Sequence, residues 1–229
     1  MSEWWTYTLS DFLLFSPRTY YRLFEIYNAA IWPVQLAAIA LGLAILALLS
    51  RPAAAGRRAT AAILAGCWLW VAIAFHANRY AAINWAAVYF AWGFGLEAGI
   101  LTWSALARRP LKRRLDVASG AGLGIFLFAL VVEPLVGPLL GRGWRQVQIF
   151  GVAPDPTAVA TLGILLLAHV RGRWLLMIVP AIWCAISGAT LLAMKAPDAW
   201  IAPAAAALSV FLATWQTRAE ARSAATVIQ

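Results

Sequence analysis

From about residue 29 to residue 216 the chain is a succession of apolar stretches, most close to the roughly 20 residues that a helix needs to cross a hydrocarbon core. Seven can be marked, near 29–49, 58–77, 82–106, 118–140, 157–170, 173–194 and 198–216. Hydrophobic residues make up 63% of the chain and charged ones only 12%, against about 25% charged in an ordinary soluble domain. One globular core cannot hide that excess, so lipid is the natural solvent. The expected fold is all-α: a polytopic integral membrane bundle of about seven transmembrane helices, preceded by an N-terminal interfacial amphipathic helix. The expected division is a periplasm-side interfacial segment over 1–28, a membrane domain over 29–217 and a short cytoplasmic tail over 218–229.

Orientation follows from the basic residues, which concentrate in cytoplasmic connections. Of the 18 Lys and Arg residues, six (Arg18, Arg22, Arg79, Arg142, Arg145 and Lys195) fall on one side of the seven-span arrangement. The other twelve fall on the opposite side, five of them in the "ARRPLKRR" connection. This predicts the N-terminus outside and the C-terminus inside. The net charge of +9 is spread between apolar runs, so its partners are anionic lipids at the cytoplasmic face, and no nucleic-acid module is present. The thirteen tryptophans suit a membrane–water boundary. The first dozen residues contain no Lys or Arg, so a retained N-terminus is expected. Cys67 and Cys184 fall inside spans without a CxxC or Cys/His pairing, which predicts buried thiols, no disulfide scaffold and no metal site.

Ser10-Asp11 and Ser16-Pro17 each read as a helix start, the second with proline in the first turn. Beyond Pro17, Tyr20, Phe24, Tyr27 and Ile31 recur at helical spacing, while Arg18, Arg22 and Glu25 mark a polar face. An interfacial helix with an aromatic face follows, able either to cap the bundle or to dock a protein partner.

A second interruption is "VAPDPT" at 152–157. Pro154 biases Ala153 toward extended backbone, Asp155 suits an N-cap and Pro156 suits N1. The connection 141–156 is apolar for an exposed loop, with Val147, Ile149, Phe150 and Val152. A short re-entrant piece, lined by protein or a wet cavity, is the alternative, and Asp155 then faces a ligand.

Two carboxylates interrupt the apolar runs. Glu97 falls near the centre of the third span and Glu133 toward the outer half of the fourth. A charge at mid-bilayer costs about 2.5–3.5 kcal/mol on insertion scales, so such groups usually face a partner or water, or carry a proton. Gly93, Glu97 and Leu101 share a helical face by spacing. Pro134 withholds a backbone donor just after Glu133. His76 and His169 end different spans on opposite sides, which rules out a shared metal or haem. The last span contains no lysine for a retinal linkage, and no HExxH, GxSxG or phosphate-binding loop is present.

"QIFGVAPDPTAVATLGILLLA", "FHANRYAAINWAA" and "YNAAIWPVQ" resemble segments of the uncharacterised multi-pass family called domain of unknown function 6064, and the likeness runs over nearly the whole chain. The resemblance implies a bacterial integral membrane protein and brings no established activity; the expected location is the inner membrane. It also implies cysteine in many members where this chain has Asp155, so a thiol-based metal site does not carry over. On the seven-span map the three segments gather at the outer side, and an outward-facing pocket is expected there. Its candidate ligand or ion-pathway residues are His76, Asn78, Arg79, Asn84 and Asp155, with Glu97 as a midplane carboxylate and Glu133, Asn28 and Tyr27 as secondary candidates. The expected function is a small-solute or ion permease. The alternative is a non-catalytic membrane subunit or assembly factor, docking through the N-terminal aromatic helix. No cofactor is indicated.

Overall fold

The computed structural model describes residues 14–50, 54–106, 116–167 and 172–227. The Ser10-Asp11 start, Arg51, the "ARRPLKRR" connection, His169 and Arg171 lie outside the described residues. The described chain is helical throughout, with turns between: α1 Pro17–Ala30, α2 Val34–Leu49, α3 Ala54–Trp70, α4 Ala87–Leu106, α5 Val117–Leu127, α6 Glu133–Leu139, α7 Pro154–Leu167, α8 Arg173–Ala193 and α9 Ile201–Val227. α3 runs on through a π-helical stretch, Val71–Ala77, and a second one, Phe128–Val132, joins α5 to α6. Each of the seven apolar stretches therefore contains a helix. The last helix continues past 216 through Val227.

Not every stretch has the length of a span. Among the described residues three helical segments are long and apolar enough to cross a membrane: Ala54–Ala82, Val117–Leu139 and Arg173–Ala193. α1 and α2 pass the same test only together, across an 89° bend. α7 has 14 residues, which at 1.5 Å per residue is about 21 Å, short of a hydrocarbon core about 30 Å thick. Its surroundings explain why it can be short. Every residue from Pro154 to Leu166 is buried, enclosed by α3, α5, α8 and α9. α7 is the axis of the bundle, enclosed by protein along its length.

Close helix approach makes this enclosure tight. α5 crosses α7 at Gly122 and Gly163, where a Cβ on Gly163 would stand 2.6 Å from the Gly122 carbonyl oxygen. Small residues let backbones approach in this way. α7 is also tied to α3 and to its own entry. Trp68 Nε1 donates to Thr161 Oγ1 (2.9 Å), Thr161 donates to the Thr157 carbonyl (2.8 Å), and Thr157 donates to the Ala153 carbonyl (2.6 Å). The Gly151 amide donates back to Thr157 Oγ1 at 2.9 Å. Gly151 has φ +81°, the left-handed conformation that glycine adopts without a Cβ penalty.

α1 begins as its sequence predicts, with the Ser16 hydroxyl accepting from the Thr19 amide (3.2 Å) and Pro17 at the first position. Tyr20, Leu23, Phe24 and Tyr27 are buried. Phe24 and Tyr27 pack on Phe75 at centroid distances of 5.0 and 5.3 Å. The aromatic face of α1 is thus spent on its own bundle, and what α1 leaves outward is the face bearing Arg18, Arg22 and Ile26.

The outer wall is apolar. Leu43 on α2, Trp92 and Trp103 on α4, Leu175 on α8 and Phe211 on α9 are each more than half exposed. On α4 the buried face consists of Phe94, Glu97, Ala98 and Leu101. Space around Gly93 is open, and Phe94 and Ala98 accompany Glu97 and Leu101 on the buried face in its place.

Candidate functional site

The two π-helical stretches and the start of α7 deliver polar side chains to one end of the bundle. In α5–α6, Pro134 cannot donate to the preceding turn, and the helix widens into the π-helical stretch Phe128–Val132 directly before Glu133. In α3 the π-helical stretch carries Phe75 and His76. Both helices reach the same end as α1, the 141–153 connection, the N-terminus of α7 and the turn between α8 and α9.

A cleft opens at that end, lined by Tyr21, Glu133, Arg142, Gln148, Asp155 and Asp198 among others. It encloses about 30 Å³ of free space, room for about two water molecules. Arg142 spans it, pairing with Asp198 and donating to the Tyr21 hydroxyl at 2.8 Å. The guanidinium also lies 4.8 Å from the centroid of the Tyr21 ring, a cation–π geometry. Burial pulls the Arg142 guanidinium down, but Asp198 and Tyr21 outweigh it and hold the group above its ordinary range. Burial likewise raises the Tyr21 phenol, with Arg142 working against the shift. The connection that carries Arg142 is pinned to α1: Asn28 Nδ2 donates to the carbonyls of Arg145 (2.9 Å) and Val147 (2.8 Å). Trp70 Nε1 donates to the Tyr27 hydroxyl (2.9 Å), which donates to the Val152 carbonyl (2.8 Å).

Asp155 lies at the floor of the cleft and is 4% exposed. Its carboxylate does not cap α7. The helix begins one residue earlier, at Pro154, and the carboxylate reaches sideways to α8, accepting from Trp183 Nε1 (2.8 Å) and Ser187 Oγ (2.7 Å). The cap reading fails because the first turn is enclosed by neighbouring helices, which offer Asp155 side-chain donors. Trp183 in turn packs against His76 at a centroid distance of 4.8 Å.

His76 is fully buried among Phe75, Tyr80, Phe90, Phe94 and Trp183, and neither ring nitrogen has a hydrogen-bond partner among the described residues. Glu97 is also fully buried, with both carboxyl oxygens unpartnered, and it does not line the cleft. Asn78 and Arg79 are exposed. Asn84 is half-buried and accepts from the Ala86 amide at 3.0 Å, at the entry to α4. The structure therefore joins His76 to Asp155 through Trp183, places Glu133 in the cleft, uses Tyr27 and Asn28 to hold its wall, and leaves Asn78 and Arg79 on the surface.

Sequence reasoning missed Arg142, Gln148 and Asp198 as site residues. Arg142 counted only toward topology. The available signal was the polar density of "GRGWRQVQ" inside an otherwise apolar connection, together with Asp198 as the one acid of the last apolar stretch. Among the described residues no three His, Cys, Asp or Glu side chains converge as metal ligands, and Cys67 and Cys184 are buried free thiols.

Comparison with curated proteins and with solved structures finds no match. A family model does match, over residues 18–224, and it spans all three segments that Tyr27 brings together through Phe75 and Val152. The chain belongs to the family of unknown function DUF6064.

Proposed function

We propose that the chain is an integral membrane protein of the bacterial inner membrane with seven passages, N-terminus outside and C-terminus inside, that takes up a small solute or ion through the cleft. Three helices with the length and apolarity of spans support membrane residence. So does the apolar outer wall, since exposed patches of this extent on a soluble monomer are rare. In this reading α7 and the buried end of the 141–153 connection form a protein-lined element of the kind tolerated at membrane depth, and the outer helices face lipid. The basic residues set the orientation.

The observation that carries the solute reading is the cleft itself. It is an opening floored by Asp155 and bridged by Arg142, with Gln148 and Asp155 of the "QIFGVAPDPT" segment in its lining and Asn28 of "YNAAIWPVQ" bonded to the backbone of its Val147 wall. The closed floor at Trp183 and Asp155 separates it from Glu97, which fits a conformation in which the path to the midplane is shut. Glu97, enclosed and unpartnered, is the proton or cation group of the path. Uptake into proteoliposomes, measured against a panel of ions and small metabolites, tests this. A solute whose uptake is lost in both Glu97→Gln and Asp155→Asn supports it. Uptake indifferent to both substitutions, or no uptake of any kind, overturns it.

The outward aromatics Tyr89, Trp92 and Trp103 on α4, with Trp85 in the turn before it, favour a second reading, a non-catalytic subunit or assembly factor docking through that face. Purification in mild detergent distinguishes the two. A stable partner lost when Trp92 and Trp103 become alanine favours the subunit; a lone chain favours the solute protein.

A further inference from the structure

The hydrogen-bond inventory of the cleft is lopsided. Glu133 Oε2, Gln148 Oε1 and Asp198 Oδ1 are each shut off from solvent and have no partner among the described residues, and all three residues line the same opening. A buried acceptor left unmade costs about 1–3 kcal/mol, so three in one place call for donors that the chain does not supply. The charged donor of the lining is committed, as are the donors beside Asp155. Arg142 is taken up by Asp198 and Tyr21, and the Trp183 and Ser187 donors by Asp155. No second Lys or Arg lines the opening. An anion would bring more acceptors to acceptors. A chelated metal ion would need converging ligands, and no group of three His, Cys, Asp or Glu does so among the described residues. Gln148 is an amide, so the surplus is not the work of carboxylates alone. What fits is a positively charged group with several N–H bonds pointing in different directions, each reaching a separate oxygen. Arg142 already shows such recognition here, a cation held by a carboxylate and laid against the Tyr21 ring.

We propose that the cleft binds a small organic cation bearing a primary ammonium group, through Glu133, Gln148 and Asp198. This rests on the solute reading given above and names the chemical class of the solute.

Methylammonium is the direct probe, titrated into the detergent-purified full chain and read as a saturable rise in the thermal unfolding midpoint. Tetramethylammonium, which has the charge but no N–H, and acetate serve as comparators at equal ionic strength. The expected result is a saturable response to methylammonium alone, a dissociation constant weakened at least tenfold in Glu133→Gln, and one tightened severalfold in Gln148→Glu. The Gln148 variant adds charge at a half-buried position, so a gain in affinity there cannot be mistaken for misfolding. Equal responses to methylammonium and tetramethylammonium, or unchanged affinity in both variants, overturn the proposal. If methylammonium gives nothing while another solute of the uptake panel saturates, the ammonium class is wrong and the solute reading stands. If no solute binds and water alone satisfies the oxygens, both fall.

Discussion

The two ends of the bundle solve the same problem in opposite ways. Away from the cleft, Arg173 at the start of α8 is 5% exposed, yet it is fully engaged. It donates to Gln216 Oε1 (2.5 Å), the Ala213 carbonyl (2.5 Å) and Thr217 Oγ1 (2.6 Å) on α9. Gln216 then donates to Asp116 (3.2 Å), the residue that caps α5 by accepting from the Ser119 amide at 2.7 Å. Donors and acceptors match, and α5, α8 and α9 are locked together. At the cleft end Arg142 and Asp198 also bridge distant segments, but oxygens of Glu133, Gln148 and Asp198 itself stay open. A closed polar network behaves as structure. An open one, beside about 30 Å³ of free space, is what the proposed solute site requires. The contrast also separates the arginines by role, since both serve as cationic bridges and Arg142 lines the cleft.

Each half of this contrast can be broken separately. The largest effect is expected at the closed end, where Arg173→Leu strips hydrogen bonds from the buried Gln216 and Ala213 and from Thr217. A loss on the order of 3 kcal/mol should appear in denaturant unfolding, with methylammonium affinity of the surviving folded protein unchanged. Next comes the α5–α7 crossing that joins the ends. Gly163→Ala places a methyl 2.6 Å from the Gly122 carbonyl and 2.8 Å from the Phe126 amide nitrogen, contacts with backbone that cannot swing aside. Overpacking of this sort costs about 2 kcal/mol, and both ends should loosen together in hydrogen exchange. A smaller effect, about 1 kcal/mol, is expected from Trp183→Phe. It keeps a ring against His76 but deprives Asp155 of a donor, so it should change affinity at the cleft while leaving the Arg173 end untouched.

The smallest effect at neutral pH belongs to the tyrosines that cover the cleft end. Burial raises Tyr20 and Tyr21, and raises Tyr27 to about 12 with the Trp70 donor working against it. A raised phenol keeps its proton longer in the folded state, so its contribution is whole below the unfolded value of about 10 and drains away as pH climbs through the folded values. Stability should therefore be level up to about pH 10 and fall above it toward pH 12. The expected first event is detachment of α1, visible as tyrosinate absorbance rising together with exposure of residues 141–153 to protease.

How far the sequence foretold these features depends on whether the signal was local. The helix start at Ser16-Pro17, the aromatic stripe of α1 and the disturbance at Pro134 are written in a few neighbouring residues, and the structure carries each of them. The gathering of "YNAAIWPVQ", "FHANRYAAINWAA" and "FGVAPDPT" was legible from connection parity, and contacts such as Tyr27 with Phe75 and Val152 realise it. The burial of α7 was not legible. An apolar run of this composition reads the same whether lipid or protein surrounds it, and only the packing of four neighbouring helices decides. Asp155 was misread for the same reason, because Trp183 and Ser187 lie 28 and 32 residues away in sequence. Asp198 was invisible until its pairing with Arg142, 56 residues away, was on view.

The central claim is that the open end faces out of the cell and the closed end faces in. Both native cysteines are buried, so a single introduced thiol can report on either end: Arg79→Cys near the cleft, Arg218→Cys beyond the Arg173 lock, both positions exposed. With a membrane-impermeant maleimide on intact cells, Arg79→Cys should label at once and Arg218→Cys only after the membrane is opened. Labelling of Arg218→Cys in intact cells, with Arg79→Cys protected, would contradict the orientation and the outward cleft together.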